Sequence, residues 1–323
     1  MAFYTKVRKK DKRKLEKTFN KKINYINGIK EGSENSNYVL GINRKKRVLT
    51  ILENNKNTSK IINIINFLSK NISVPKYYKN RKNNSFFFTI NNKMSLVSKF
   101  KKGKIKYKTS KSDSFKVGIF LSKLHKICSR ENLIKKNAFS YKQIGRYIYM
   151  LKNKINRRLY KFISKLYKIN SSFILSNTYN KLPESFCHCD LFKDNVLFKK
   201  RNISSVLDFH FSCIEKRLYD ISIHINEWCF KEKKINFNKV KYFLVGYSKY
   251  IKLKKIEYKN VYNFMLVTSL RFLVTRLLGN NILKKKKKSI SHYLKMIIYY
   301  IEYRKTIKKK IKRLYKYDRK FFS

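Results

Sequence analysis

Along the first hundred residues, apolar positions alternate more often than they recur every three or four. "INYINGIKEGSENSNYVLGIN" (23–43) reads as two strands flanking a turn rich in Gly, Ser and Asn. "RKKRVLTILE" (44–53) reads as a third strand. "TSKIINIINFLSKN" (58–71) breaks the alternation. Thr58 and Ser59 are N-cap candidates, and Ile61, Ile64, Ile65 and Leu68 fall at helical spacing, so one helix is predicted before Pro75. "SFFFTI" (85–90) and "MSLVSKF" (94–100) predict strands four and five, and residues 1–20 a short polar helix.

After "KKGK" (101–104) the period changes. Helices are predicted over 112–129, 140–168, 218–230, 238–251, 257–278 and 285–313. Within 195–209, "NVLF" and "SSVLDF" instead predict a β-hairpin. The expected plan is α+β and bilobal: a small β-rich first lobe (1–98), a connector (99–104) and a mostly helical second lobe (105–323). No internal repeat is present, and "KKKKK" (284–288) reads as a solvated loop or helix start.

Composition changes this picture in one respect. The 323 residues, 43% hydrophobic, can bury a core of the required size. Lys and Arg number 80 against 18 acids, a formal net charge of +62. Abundant Lys, Asn, Ile, Tyr and Phe, with 8 Gly and 2 Pro, is what an AT-rich genome favours. Basic charge spread over the whole chain therefore argues for unspecific adhesion to polyanions rather than a dedicated nucleic-acid partner. Five cysteines in no disulfide framework fit a reducing compartment. The N-terminus has no apolar signal segment, and no 18-residue stretch is both apolar and uncharged, so no membrane span is expected. The expectation is a soluble, cytoplasmic protein.

Compositional drift scatters Lys and Asn, but it does not cluster acids. Residues 184–232 hold 8 of the 18: Glu184, Asp190, Asp194, Asp208, Glu215, Asp220, Glu227 and Glu232, where uniform scatter gives about 3. His188, His210, His224, four cysteines and Trp228 share the window. Two chemistries compete for it. Cys187, His188, Cys189, His210 and Cys213 offer zinc ligands, but Cys187 and Cys189 are one residue apart, too close for the usual knuckle. As small buried hydrophobes the cysteines need no metal. The acids offer phosphoryl transfer. Asp190 and Asn195 are five apart, a hairpin follows, and Asp208 comes thirteen later as Asp-Phe. That is the spacing of a kinase catalytic loop and its metal-binding strand. A carboxylate orients the acceptor hydroxyl and takes its proton, while an amide and a carboxylate oxygen suit Mg²⁺. For one pair alone the simpler reading is a capped turn at Asp190 and Asn195, with Asp208 a strand-end residue; the full series with its hairpin favours phosphoryl transfer.

"HCDLFKDNVLF" followed by "VLDFHFSCIEKRLYDISIHINEWC" resembles the homoserine kinases of the aminoglycoside phosphotransferase and choline kinase superfamily. "MAFYTKV", "GIKEGSENSNYVL", "RVLTILE" and "LRFLVTRLLG" continue the resemblance, in order, over nearly the whole chain. It implies a protein-kinase-like fold and ATP-dependent, Mg²⁺-assisted phosphorylation of the side-chain hydroxyl of L-homoserine, a step of threonine biosynthesis. It implies further that Asp190 is catalytic, that Asn195 and Asp208 hold the metal, and that His188 and Asp220 brace the loop. The turn containing Gly32, Ser33, Asn35, Ser36 and Asn37 would lie over the ATP phosphates, and Ser98–Lys101 would meet adenine. His125 in "LSKLHK" reads as structural.

The chain departs from the pattern in three places. Cys189 occupies a small Gly/Ala position, and His210 stands where protein kinases have Gly. Thr50 replaces the third-strand Lys, and no acid lies between Glu53 and Asp113 to pair with one. An acceptor with a carboxylate and an ammonium calls for an Arg and an acid beside an aromatic wall. Arg271 and Arg276 on an apolar helix, and Glu227 with Trp228, are the candidates; the arginines also read as exposed or structural residues, and Glu227 and Trp228 as helix packing and capping. Two alternatives stay open: another small-molecule hydroxyl kinase of this fold, acting on choline, a sugar or an aminoglycoside, and a basic nucleic-acid-binding protein with a degenerate kinase fold. Oligomeric state is not legible.

Overall fold

The computed structural model describes residues 5–29, 35–53, 59–81, 83–127, 137–283 and 289–322. Gly32, Ser33, Thr58, Cys128 and the run at 284–288 lie outside them. In chain order the elements are α1 (Lys9–Phe19), β1 (Ile23–Gly28), β2 (Ser36–Ile42), β3 (Lys45–Ile51), α2 (Ser59–Leu68), β4 (Tyr77–Tyr78), β5 (Phe88–Ile90), β6 (Lys93–Lys99), β7 (Lys104–Ile105), α3 (Lys111–Ile127), α4 (Tyr141–Met150), α5 (Arg157–Ile174) and α6 (Asn177–Asn180). Then follow β8 (Glu184–Cys187), a 3₁₀ turn (Lys193–Asn195), β9 (Val196–Lys199), β10 (Asn202–Val206), β11 (Cys213–Lys216), α7 (Leu218–His224), a π-helical turn (Ile225–Cys229), β12 (Phe230–Lys231), β13 (Lys234–Ile235), α8 (Phe237–Tyr247), α9 (Lys255–Asn281), α10 (Ser291–Glu302) and α11 (Arg304–Phe322).

The chain divides into two compact units, Met1–Lys104 with Leu197–His210, and Ile105–Val196 with Phe211–Ser323. The first is a sheet ordered β1-β2-β3-β6-β4, with β5 also on β6. Strand alternation sends Tyr38, Leu40, Ile42, Leu49, Ile51 and Val97 to one face, where Leu15 and Phe19 of α1 close the core. The helix expected to be merely polar is thus amphipathic. The hairpin of β9 and β10, expected within the second lobe, groups with this unit: Val206 N–H donates to Ser73 O at 2.8 Å and Ser204 Oγ to Lys102 O.

The second unit is mostly helical. The single helix expected over 140–168 is two, broken between Met150 and Arg157, where Asn156 caps α5 by accepting from Leu159 N–H at 2.7 Å. The helix expected over 285–313 likewise breaks at Tyr303. The 27-residue α9 is long and apolar enough to cross a membrane, yet 78% of its most apolar window is buried inside the fold. Its hydrophobicity is that of a core helix.

Helices α3 and α8 meet at two glycines. A Cβ on Gly118 would stand 2.1 Å from Phe243 O, and one on Gly246 would stand 2.0 Å from Phe115 O. Backbone cannot yield as a flexible side chain does. Gly118→Ala and Gly246→Ala are each expected to cost at least about 3 kcal/mol by overpacking. Gly279→Ala on α9, which meets nothing within 4 Å, should instead gain about 0.5–1 kcal/mol of helix propensity. Thermal melts of the three variants by circular dichroism check this ordering.

Candidate active site

The loop after β8 is built from its buried floor upward. β8 pairs antiparallel with β11, opposing Cys187 and Cys213, and Cys189 Sγ lies 3.5 Å from Cys213 Sγ. All three thiols are buried. Burial pushes Cys187 up to about 12 and Cys189 well above its usual range; contact with Cys189 and then burial does the same for Cys213. Packed against one another as neutral thiols, they fill space as small buried hydrophobes.

Cys189 adopts a left-handed backbone, φ 63°. That conformation costs a non-glycine residue about 1 kcal/mol or more and persists only where neighbours over-determine it. Asp220, buried on α7, supplies the main restraint. Its Oδ2 accepts the His188 N–H at 2.6 Å and its Oδ1 the Cys189 N–H at 2.7 Å. Behind it, His125 Nε2 lies 3.2 Å from Asp220 Oδ2, and His125 Nδ1 lies 2.7 Å from Tyr247 Oη. His125, Cys187 and Asp220 come within 4.8 Å of one another, yet each is engaged in internal hydrogen bonds. His188 is fully buried, and its Nδ1 accepts from Asp190 N–H at 3.2 Å. Ser212 Oγ donates to His188 O at 3.3 Å.

Asp190 is half-buried at the end of this chain of restraints. Its Oδ1 is 3.5 Å from Arg271 Nη1. Asn195 Nδ2 donates to Asp190 O at 2.8 Å and lies 3.5 Å from Asp190 Oδ2. Those bonds spend the amide's donors and turn its carbonyl oxygen, a ligand suited to a hard cation, away from Asp190. Asp208 belongs to the first unit. It is exposed, with φ 58°, close enough to Tyr77 to add to the burial that raises that phenol.

The remaining candidates separate. Trp228 is 1% exposed and donates its indole N–H to Leu191 O at 2.9 Å, so it lies beneath the loop rather than walling a pocket. Arg271 is 3% exposed and donates to Cys189 O at 2.8 Å. Glu227 and Arg276 remain more open. Tyr293 Oη donates to Glu227 Oε1 at 2.5 Å, and Arg276 stacks on the Tyr293 ring at 4.5 Å. Burial pushes the Glu227 carboxyl up to about 7, assisted by Asp190 and opposed by Tyr293, Arg276 and Lys193. Burial also lowers the Lys193 ammonium. Sequence reasoning missed Lys193, which the compositional excess of lysine hides, and Tyr293, 66 positions from its partner.

In the first unit, Asn37 faces Thr50 across the β2–β3 ladder, and Thr50 Oγ1 donates to Asn37 Oδ1 at 2.8 Å. Asn35 Oδ1 accepts from Glu53 N–H at 3.3 Å. Ser36 Oγ donates to Glu53 Oε1 at 2.5 Å, and Glu53 is paired with Lys93.

A family model described as the phosphotransferase enzyme family matches residues 26–234. Homoserine kinase from Methylocella silvestris is 28% identical over 288 residues, covering 86% of this chain and 88% of that protein. Homoserine kinase from Zymomonas mobilis subsp. mobilis is 27% identical over 260 residues, covering 78% and 80%. Among solved structures, amicoumacin kinase hAmiN in complex with AMP-PNP, Ca²⁺ and Ami superimposes with a TM-score of 0.69 over 92% of both chains at 14% identity, a likeness of fold.

Glu227 makes a pH-dependent contribution to stability. A carboxyl raised from about 4.5 to about 7 binds its proton more tightly when folded, so its contribution is complete below pH about 4.5 and lost as pH rises through about 7. The span is up to about 3 kcal/mol. His224 has the opposite sign. Burial, then Lys239 and Lys193, lower it well below its usual range, so it costs stability below pH about 6.5. Subtracting wild type from Glu227→Gln isolates the first effect. Urea melts should show the variant gaining relative stability from pH 5 to about pH 7 and levelling off above it.

Proposed function

Since this chain belongs to the phosphotransferase enzyme family, we propose that it transfers the γ-phosphoryl group of ATP to the side-chain hydroxyl of L-homoserine, giving O-phospho-L-homoserine and ADP. Phosphoryl transfer to a small-molecule hydroxyl is the coarser activity, common to the homoserine kinases it resembles at 25–28% identity. The observation that carries the reading is the held carboxylate of Asp190. One oxygen faces Arg271 and the other faces the Asn195 amide, at the end of a strained loop.

Asp190 orients the acceptor hydroxyl and takes its proton as the hydroxyl oxygen attacks the γ-phosphorus. The bond from phosphorus to the β–γ bridging oxygen breaks, and ADP leaves. The protein's work is positioning and electrostatics rather than covalent chemistry. The Asn195 carbonyl oxygen and the Asp208 carboxylate would hold Mg²⁺, a hard cation for which both are suited donors. When bound, that ion neutralises charge on the phosphate oxygens. His188 and Asp220 hold the loop, and Asn35, Ser36 and Asn37 would offer hydrogen-bonding groups to the phosphates.

Homoserine is favoured over a choline-like acceptor by the mixed charges near Asp190. Glu227, with Tyr293, suits the α-ammonium. Arg276 and Lys193, both close enough to Glu227 to hold its pKa down, suit the α-carboxylate. A choline site would instead be an aromatic cage with acids and no cation.

A coupled ADP-release assay with homoserine, serine, threonine, choline and ethanolamine tests this. Saturable release with homoserine, reduced about 10²–10⁴-fold in Asp190→Asn, is expected. Release with choline or ethanolamine alone would retain the kinase and overturn the acceptor. Homoserine-dependent release indifferent to Asp190→Asn would overturn the role of the loop.

A further inference from the structure

An arginine in the middle of a buried helix needs a reason. Arg271 lies between Leu270 and Phe272 on α9, both buried, and is itself 3% exposed. Burying a guanidinium costs far more than burying a hydrocarbon of equal size unless its donors are used. Here they are used selectively. Nη1 donates to Cys189 O at 2.8 Å and faces Asp190 Oδ1 at 3.5 Å, while Nε is buried with no partner. Phe272 and Phe139 stack on the guanidinium at 3.9 and 4.2 Å, with Phe211 at 5.6 Å. The rings hold the plane and supply cation–π attraction. The cost of leaving Nε unpaired is accepted where Nη1 meets the loop.

Resting on the proposed kinase reading, we infer that Arg271 is the positioning residue for Asp190. It clamps the left-handed Cys189 peptide and aims the neighbouring carboxylate, and it does not touch the acceptor. The Cys189 peptide units are restrained from both sides: Asp220 holds the N–H of Cys189, and Arg271 holds its carbonyl oxygen. Asp190 follows directly. Its two carboxylate oxygens are directed to different partners, Oδ1 to Arg271 and Oδ2 to the Asn195 amide, so the carboxylate plane is set before any substrate arrives. A planar cation fits here, because the guanidinium stacks on the rings while its Nη1 faces the Cys189 carbonyl and the Asp190 carboxylate. A lysine ammonium cannot stack in that way. The enclosure also removes Arg271 from acceptor recognition, which leaves that task to Arg276.

The test uses the full chain with ATP and homoserine. Arg271→Met keeps the apolar stem among the three rings and removes the fork; Arg271→Lys keeps charge without the plane; Arg271→Ala opens a space for a small guanidinium. In Arg271→Met, kcat is expected to fall by about a hundredfold, the scale of a misplaced catalytic group, with KM for homoserine changed less than about threefold. Arg271→Lys should fall about tenfold. Added guanidinium should restore kcat in Arg271→Ala and leave Asp190→Asn unchanged. The double variant Asp190→Asn/Arg271→Met should be no slower than Asp190→Asn alone, because the two act as one unit. Arg271→Met with wild-type kcat, multiplying losses in the double variant, or a KM rise for homoserine at constant kcat would each overturn the inference. If Arg271→Ala does not fold, the Met and Lys variants decide by the same criteria. Wild-type chain inert toward homoserine overturns the function reading and this inference with it; wild-type turnover matched by Arg271→Met overturns this inference alone.

Discussion

The buried carboxylate of Asp220 is the constraint on which the second unit's site depends. It accepts two consecutive backbone N–H groups, from His188 and Cys189, and so fixes the turn of chain that carries Asp190. A buried carboxylate is costly unless its lone pairs are used, and removing one partner leaves the others exposed to that cost. Its remaining support, His125 backed by Tyr247, comes from α3 and α8. Those helices approach closely only because Gly118 and Gly246 lack side chains, and Tyr247 directly follows the second glycine. A helix crossing thus sets a histidine, the histidine sets a carboxylate, and the carboxylate sets the loop.

Compositional drift marks the rest of the molecule in a physically consistent way. Glycine is scarce, and asparagine takes left-handed positions that glycine would usually fill: Asn20, Asn43, Asn84, Asn91 and Asn92 all have positive φ. Asparagine and serine, rather than aspartate, cap α4, α5 and α8, through Ser140, Asn156 and Asn236. Acids persist where a neutral residue could not serve. Glu257 takes two hydrogen bonds from Arg217, and Glu215 accepts from Tyr179 and Asn137. Within the acid-rich window, Asp220 is buried and Glu215 half-buried in support of the architecture, Asp190 and Glu227 are half-buried, and Glu184, Asp194, Asp208 and Glu232 are exposed.

This division explains what the chain disclosed as sequence. Long amphipathic helices and the first three strands were readable because their apolar periods exceed the noise of biased composition. Strands β8 and β11 were not, since four residues each cannot show a period, and their pairing joins positions about 30 apart. Asp190, Asn195 and Asp208 stood out by spacing alone. For Arg271 and Trp228, the residue type suggested a pocket, but the direction of the polar end is a tertiary fact: both turn inward and bond backbone carbonyls of the loop. Tyr293 and Lys193 carried no signal, one being far along the chain and the other lost among 64 lysines.

The first unit poses the complementary question of charge. Its acid–lysine pair, Glu53 with Lys93, is not a relocated version of the usual strand-three lysine and its partner. Ser36 bonds Glu53, and Ser36 opposes Ile51 in the ladder, so the pair lies on the face whose core α1 covers. Side chains alternate along a strand, so Asn37 and Thr50 occupy the other face. They meet there as a hydroxyl and an amide, with Thr50 holding the carbonyl end of Asn37. That strand pair consequently presents neutral hydrogen-bonding groups where kinases of this fold class present a cation. A neutral donor orients a phosphate oxygen without the long-range pull of an ammonium. In a chain of net charge +62, attraction of a polyanionic nucleotide does not depend on one strand lysine.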